Sequence, residues 1–196
     1  MSDAVQDTED SDDLREVMQV CVERCYSMSR FITNFADVVK IPDAQLQTVY
    51  LNERVTACKR FMENICRNKD IQLHINLCEE NPQVQMDTTL FEQVIVNILK
   101  NAAESIEVHG NIYIQTTSSP VTLEIADTGA GISREVEARL FSPFFSTKPN
   151  GQGIGLIFIR DVLIKHGCTF SLRTWPDGLT RFLIRFPHND RTIQPD

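Results

Sequence analysis

Apolar residues in the first part of the chain recur with the spacing of a coiled-coil helix. Between residues 14 and 40 they stand at alternating steps of four and three, at Leu14, Met18, Cys21, Cys25, Met28, Ile32, Phe35 and Val39. A repeat that averages about 3.5 residues keeps one stripe of a helix against a partner helix. We therefore predict a long helix whose seam packs on another helix, in this molecule or another, in preference to its own domain. Ile41-Pro42 ends it, because proline disfavours the helical conformation at the preceding residue.

Further along the chain, the pattern alternates between helical and strand-like periods. Helical spacing predicts helices over residues 51–67, 88–107 and 153–165, the last closed by Gly167 as a C-terminal cap. Alternating apolar and polar residues predict strands in IQLHINL (71–77), QVQM (83–86), NIYIQTT (111–117), VTLEIAD (121–127), TFSLRTW (169–175) and TRFLIRFP (180–187). Strands with helices on one face predict an α+β fold built as a two-layer α/β sandwich.

Charge and composition narrow the possible partners and the compartment. Nineteen basic against twenty-seven acidic residues give a net charge of −8, which argues against a nucleic-acid partner. The chain has no run of eighteen apolar residues and no signal-peptide pattern. We expect a cytoplasmic chain without membrane contact of its own, so that any membrane anchor would lie outside it. The acidic residues 1–13 contain too little apolar material to fold, and residues 188–196 form a tail.

Three common kinds of site are rejected on motif and spacing. The six cysteines include no CxxC pair and no histidine at ligand spacing, so we expect reduced, mostly buried thiols that bind no metal. The P-loop motif GxxxxGK[ST] is absent. The glycines at 151–155 follow a loop instead of a strand, which argues against a dinucleotide-binding fold.

The predicted helix over residues 88–107 carries one polar stripe on an otherwise apolar surface. The stripe consists of Gln93, Asn97, Lys100, Asn101 and Glu104. A solvated face would favour lysine and glutamate, whereas two asparagines four residues apart place neutral amide oxygens side by side. Such oxygens suit a hard cation like Mg²⁺, which takes one or two protein ligands and completes its shell with waters and phosphates. The stripe alone is a weak signal.

Two glycine motifs further along the chain strengthen this interpretation. In DTGAGI (127–132), Asp127 ends an apolar strand, and the glycines permit close approach of the backbone to a flat ligand. A carboxylate fixed there can accept a hydrogen bond from an exocyclic amine such as that of adenine. GQGIGL (151–156) opens a helix, whose first backbone N–H groups attract phosphate, and Lys148 lies three residues before it. Taken alone, Asp127 and its glycines would indicate only a turn.

Together, the motifs carry a family resemblance. N97-x-x-x-N101, D127-x-G129-x-G131, LFSPFFSTK and G151-x-G153-x-G155, in this order, resemble the N, G1, F and G2 boxes of the GHKL ATP-binding superfamily. The chain is most similar to the catalytic domain of sensor histidine kinases, over residues 52–187. The resemblance implies the Bergerat form of the predicted fold, a mixed and mostly antiparallel sheet with helices on one face. That domain would span residues 51–187 and follow a dimerisation helix at 14–42.

The resemblance also implies roles for individual residues. Asn101 would coordinate Mg²⁺, Asn97 would support the phosphates of ATP, and Asp127 would recognise adenine. Residues 133–152 would form a flexible lid that is anchored by Phe144 and Phe145 and carries Lys148 to the phosphates. The full set of implied nucleotide contacts is Asn97, Lys100, Asn101, Asp127, Gly129, Gly131, Ile132, Phe144, Lys148, Gly151, Gly153, Ile154, Gly155, Leu156 and Thr180. The chain departs from many kinases at Glu104, where they carry lysine.

The resemblance implies a homodimer and a response-regulator receiver domain as partners, with ATP and Mg²⁺ as cofactors. The predicted long helix resembles the second helix of the kinase dimerisation hairpin, and no histidine lies in it. For His74, His109, His166 and His188 a structural role is the better interpretation. The expected function is therefore transfer of the γ-phosphate of MgATP to a histidine on a helix that this chain lacks.

Three alternatives remain open. A serine kinase of the anti-sigma-factor type shares the four boxes but has no need of the heptad helix. A conformational ATPase needs a general base near the phosphates, and the amide of Asn97 cannot serve as one. A nucleotide-binding scaffold would bind ATP and phosphorylate nothing.

Overall fold

The structure, a computed structural model, describes residues 15, 17–26, 28–29, 41–67, 69–143, 145–148 and 153–187. The chain divides into two compact units, residues 1–40 and 41–196. Each is described by itself. The predicted acidic segment (1–13) and the tail (188–196) lie outside the described residues. The domain boundaries expected from the sequence remain a prediction.

The first unit contains a helix. Its described residues from 15 to 29 are helical, which agrees with the prediction as far as they extend, and residues 30–40 lie outside the described part. The seam residues Met18 and Met28 are 60% and 65% exposed, and Cys21 and Cys25 are also exposed. The four described residues of the predicted seam are therefore exposed to solvent within this chain.

The second unit contains seven strands and five helices among its described residues. In chain order they are β1 (Gln47–Tyr50), α1 (Leu51–Ala57), α2 (Lys59–Arg67), β2 (Ile71–Asn76), β3 (Gln83–Met86), α3 (Thr88–Ser105), β4 (Gly110–Ser118), β5 (Val121–Asp127), α4 (Arg134–Glu137), α5 (Gly155–Lys165), β6 (Thr169–Thr174) and β7 (Thr180–Arg185). The predicted strands and the two predicted antiparallel hairpins are confirmed.

Five strands form the main sheet in the order β2-β4-β5-β7-β6, and β1 pairs with β3 in a separate two-stranded ribbon. Only the β2–β4 pair of the main sheet is parallel; the other three are antiparallel. The register places Asp127 opposite Ile112 on one side and Thr180 on the other. The α+β fold with a mixed, mostly antiparallel sheet is thus confirmed.

One face of the sheet forms the core together with the helices. Along β4 and β7 the buried side chains alternate with more exposed ones, as expected for a sheet covered on one side. Helix α3 packs on β5 and on α5, and α5 packs on β6. The apolar side of α3 is buried as its sequence predicted, through Leu90, Phe91, Val94, Ile95, Ile98, Leu99, Ala102 and Ala103.

Some element bounds differ from the predicted ones. The helix predicted over residues 51–67 is broken at Cys58, whose N–H bonds to the Val55 carbonyl, three residues back. Just before the break, the Thr56 hydroxyl donates to the Asn52 carbonyl (2.7 Å), an i−4 contact that tends to bend helices. Strand β1 was not predicted, because four residues carry too little pattern. The third predicted helix begins at Gly155 instead of Gly153.

Within the described ranges, no helix is both long and apolar enough to cross a membrane.

The buried cysteines should resist alkylation. Burial raises the pKa of Cys58 to about 11 and that of Cys168 to about 12, and it also raises the pKa of Cys66. A thiol with a raised pKa is almost wholly protonated at about pH 8 and is a poor nucleophile. We therefore expect a short exposure of the folded chain to iodoacetamide to modify Cys21 and Cys25 before these three, as read by peptide mass spectrometry.

Denaturant is the control for this experiment, since all six cysteines should then react at similar rates. Rapid modification of Cys168 in the folded chain would contradict its burial.

Candidate functional site

Helix α3 is the frame of the site, and it is anchored at both ends. Asp87 caps its start, with Oδ1 accepting from the Leu90 N–H at 3.1 Å. The backbone N–H of Asp87 donates to Nε2 of His166, and Nδ1 of the same ring lies 2.8 Å from the Val162 carbonyl. Because a backbone N–H can only donate, the buried imidazole is neutral with its proton on Nδ1. At the other end, Lys69 Nζ donates to the carbonyls of Ala103 and Ile106 at 2.8 Å each.

The polar stripe of α3 meets Lys148. The Lys148 ammonium lies 3.3 Å from Asn101 Oδ1 and 2.5 Å from a carboxylate oxygen of Glu104. Lys100 reaches the other Glu104 oxygen at 3.9 Å. Asn97 is half-buried, one turn before Asn101, and its amide makes no hydrogen bond within the described part of the chain. The structure therefore brings Lys100, Asn101 and Lys148 together around Glu104.

Asp127 lies at the end of β5 and is 6% exposed. Its Oδ1 accepts hydrogen bonds from the Ser105 hydroxyl (2.8 Å) and the Gly129 N–H (2.9 Å). Burial raises the pKa of the carboxyl, and these two hydrogen bonds lower it in part. Both hydrogen bonds go to Oδ1, so Oδ2 is left without one among the residues that the structure describes. That oxygen can accept from a ligand.

Ser105 joins α3 to the glycine loop, and the sequence analysis did not identify it. Besides the bond of its side chain to Asp127, its carbonyl accepts from the Ala130 N–H at 3.1 Å. A Cβ on Gly129 would lie 2.0 Å from Ser105 Oγ, which no side chain can do. Ser105 continues the four-residue steps of Asn97 and Asn101, and that spacing was the signal available in the sequence.

The second half of the loop is held by threonines. Thr174 Oγ1 accepts from the Ile132 N–H at 2.7 Å and lies 2.9 Å from Oγ1 of Thr180, which is buried. Gly131 has φ +80°, a conformation that favours glycine. Thr174 was also missed, although it faces Thr180 in the β6–β7 register. Thr180 thus supports the loop through Thr174.

The start of α5 supplies backbone donors. The first N–H groups of a helix have no intrahelical partner, and the N-cap residue Ile154 has no side-chain acceptor to offer them. Gly153 has φ +66°, and a Cβ at Gly155 would meet no atom within 4 Å. Leu156 is half-buried. An anion can therefore approach this turn without obstruction by a side chain at position 155.

The segment that follows the glycine loop is partly described. It contains α4, and Arg139 lies over the Phe145 ring at 4.6 Å. Arg160 of α5 donates to the Phe141 carbonyl at 3.0 Å. Phe144 and Gly151, both predicted site residues, lie outside the described part of the chain, so no position is assigned to them.

These elements suit a ligand with an amine at one end and negative charge at the other. Asp127 offers a buried acceptor, Lys100 and Lys148 offer positive charge, and Asn101 offers a neutral oxygen that already accepts from one cation. No group of three or more His, Cys, Asp or Glu side chains within the described ranges could hold a metal ion. Any ion bound here would rest on few protein oxygens.

Comparisons with known proteins agree with this geometry. The family described as "Histidine kinase-, DNA gyrase B-, and HSP90-like ATPase" matches residues 86–190. Sensor histidine kinase ZraS of Escherichia coli O157:H7 is 27% identical over 89% of this chain and 38% of its own length. The chain thus spans well under half the length of this relative.

Two solved structures share the fold. The catalytic domain of histidine kinase ThkA superimposes with a TM-score of 0.66 at 27% identity, covering 73% of this chain and 95% of its own. ThkA in complex with response regulator protein TrrA gives a TM-score of 0.66 at 24% identity and covers 83% and 49%, respectively. At that identity the complex shows the fold alone.

Replacing Gly129 with alanine should destabilise the chain. The added methyl would overlap Ser105 Oγ and lie 2.7 Å from Asp127 Oδ1, so the loop must shift and weaken both hydrogen bonds. We expect a loss of about 1–3 kcal/mol in the free energy of unfolding, measured by urea denaturation.

Gly155→Ala is the matched control, because its methyl meets open space and alanine favours a helix. Its stability should be equal to or above that of the unaltered chain. If Gly129→Ala were equally stable, the close approach of Ser105 would not constrain the loop.

Proposed function

This chain belongs to the family of histidine kinase-, DNA gyrase B- and HSP90-like ATPases, and we propose that it is the ATP-binding catalytic part of a sensor histidine kinase. It would transfer the γ-phosphate of MgATP to a histidine on another helix. The observation that carries the proposal is the contact of the Lys148 ammonium with the amide oxygen of Asn101, 3.3 Å apart, on the polar stripe of α3. A lysine and a neutral oxygen at one point suit phosphates accompanied by a cation.

The residues present fit Mg²⁺. Asn101 Oδ1 already accepts from one cation, and the half-buried amide of Asn97, one turn earlier, makes no hydrogen bond to the described residues and is available to a ligand. When bound, Mg²⁺ would neutralise phosphate charge during transfer. Lys100 and Lys148 would add positive charge, and the first turn of α5 with Gly153, Ile154, Gly155 and Leu156 would offer backbone N–H groups.

Asp127 is proposed to bind the adenine amine through Oδ2. Ser105 and Gly129 hold the other oxygen, so the carboxylate cannot rotate freely and Oδ2 keeps one direction. Gly131 and Ile132 would face the base, in a loop that Thr174 and Thr180 hold in place.

Asparagine at position 97 favours transfer over hydrolysis. An amide cannot take a proton from water near neutral pH, so the site lacks the general base that an ATPase would need there. Phosphoryl transfer relies mainly on positioning and on neutralisation of charge, which lysines and backbone dipoles provide. We therefore expect slow hydrolysis.

The phosphoacceptor is proposed to lie outside this chain. His74 lies 2.9 Å from Asn111 Oδ1 and stacks on Tyr113, His109 lies 2.8 Å from Asp70, and His166 is buried. These three have structural contacts, and His188 lies outside the described part. The four described seam residues, all of them exposed, support a proposed homodimer through residues 14–42.

A response-regulator receiver domain in the cytoplasm is the proposed recipient of the phosphoryl group. This proposal is supported by the relatives, among them sensor histidine kinase ZraS.

Asn101→Ala should weaken binding of MgATP while leaving adenosine binding unchanged, because only the phosphate and ion end of the site is altered. Asp127→Asn should weaken both ligands by about 1–3 kcal/mol, the scale of a hydrogen bond to a charged group. Isothermal titration calorimetry measures both affinities in each variant and in the unaltered chain, and circular dichroism checks that both variants remain folded.

Unchanged MgATP affinity in folded Asn101→Ala would refute the ion assignment. Unchanged adenosine affinity in folded Asp127→Asn would refute the contact of this carboxylate with the base.

Phosphoryl transfer tests the function itself. With radiolabelled ATP, this chain alone should stay unlabelled, whereas a longer chain that includes the upstream helix with its histidine should acquire acid-labile, base-stable phosphate.

Met28→Arg in the longer chain should lower this labelling strongly, since a charge buried in the dimer disrupts a helix seam. MgATP affinity should be unaltered.

Acid-stable label on this chain alone would overturn the histidine-kinase proposal and indicate serine or threonine chemistry. Phosphate release in proportion to enzyme, without label, would indicate an ATPase.

A further inference from the structure

We propose that Glu104 is a positioning residue that holds Lys148 over Asn101 when no nucleotide is bound, so that MgATP must take Lys148 away from it. This rests on the proposed function. Many kinases carry lysine where this chain has Glu104, and the proposal gives a role to the glutamate.

The contacts form one chain of charges. Lys148 Nζ lies 2.5 Å from Glu104 Oε2 and 3.3 Å from Asn101 Oδ1. Lys100 Nζ lies 3.9 Å from Glu104 Oε1, in the same helix and four residues earlier. Glu104 therefore contacts two lysines, one fixed on α3 and one from the loop that precedes α5.

Asn101 Oδ1 cannot accept from the Lys148 ammonium and bind a metal ion at the same time. An ion that took Oδ1 as a ligand would place a divalent charge at a short distance from the ammonium, which lies 3.3 Å from the same oxygen. Repulsion at that distance is large unless phosphate oxygens lie between the two charges. Arrival of MgATP therefore moves Lys148 off Oδ1 and towards the phosphates.

The pair with Glu104 is weak enough to be broken. Both side chains are 39% exposed, and ion pairs that water reaches this readily contribute little to stability. A triphosphate carries several negative charges and outcompetes one carboxylate. Glu104 is not left unpaired afterwards, because Lys100 remains beside it. The transfer of Lys148 from Glu104 to the phosphates is therefore readily reversible.

Glu104→Gln tests the competition. Without the carboxylate, Lys148 is free to meet the phosphates, and MgATP should bind about two- to fivefold more tightly. In a Lys148→Met background the same substitution should have a much smaller effect, since the loop lysine is gone and only Lys100, which stays on α3 in either chain, loses its contact with Glu104. Calorimetry on the four chains gives the coupling between the two positions.

Glu107→Gln is the matched control. Glu107 lies three residues after Glu104, is exposed and makes no contact with Lys148 in the described structure, so this substitution removes the same charge without touching the lysine. An equal gain in Glu107→Gln, or in the Lys148→Met background, would mean that only the general field had changed and would overturn the proposal. Weaker MgATP binding in Glu104→Gln would also overturn it, by placing Glu104 on the ion.

A second measurement needs no nucleotide. Acetylation of lysines by an N-hydroxysuccinimide ester, followed by peptide mass spectrometry, should modify Lys148 faster in Glu104→Gln than in the unaltered chain. Lys165, which donates to the Ile41 and Pro42 carbonyls, is the internal reference. Unchanged Lys148 reactivity would refute the contact with Glu104. Failure of the unaltered chain to bind MgATP would instead refute the proposed function, whatever the acetylation shows.

Discussion

A buried carboxylate at the end of β5 constrains the arrangement around it. Burial disfavours the ionised form of Asp127, and the Ser105 hydroxyl and Gly129 N–H offset that penalty by donating to Oδ1. One donor comes from the last turn of α3 and the other from the loop after β5. The charge is tolerated only while helix and loop stay together, and their closeness excludes any side chain at position 129. The requirement for glycine therefore follows from the carboxylate.

Helix α3 can hold such a group because its remaining surface is buried. Its apolar residues pack on β5 and α5, while Lys69 satisfies carbonyls at its C-terminal end and Asp87 caps its start. The neutral His166 ties that cap to the end of α5. Asn97, Asn101 and Ser105, at successive steps of four, are thus displayed from a helix that is fixed at both ends. Amides and a hydroxyl can occupy this stripe because it faces the site instead of the core.

Structural features set by a single residue or by a local repeat of apolar positions could be predicted from the sequence. Features set by contacts between distant parts of the chain could not. The stripe of α3, both hairpins and the loop glycines follow from local pattern and backbone conformation. The roles of Ser105 and Thr174 depend on partners brought close by the sheet register, and β1 exists because it pairs with β3 across thirty-odd residues. The contact of Glu104 with Lys148 joins two segments more than forty residues apart. A sequence pattern could mark Glu104 as unusual without supplying its partner.

The contacts around the site differ in how easily they can be exchanged. Asp127, its donors and the caps of α3 are buried or backbone-mediated, so breaking them leaves polar groups unsatisfied. The ion pairs of Glu104 are partly exposed, and water can replace either partner at little cost. A charged ligand arriving here would therefore exchange the lysine contacts and leave the acceptor at Asp127 in place. The neutral end of the ligand is recognised by a fixed group, Asp127. Its charged end is contacted by lysines that are able to move.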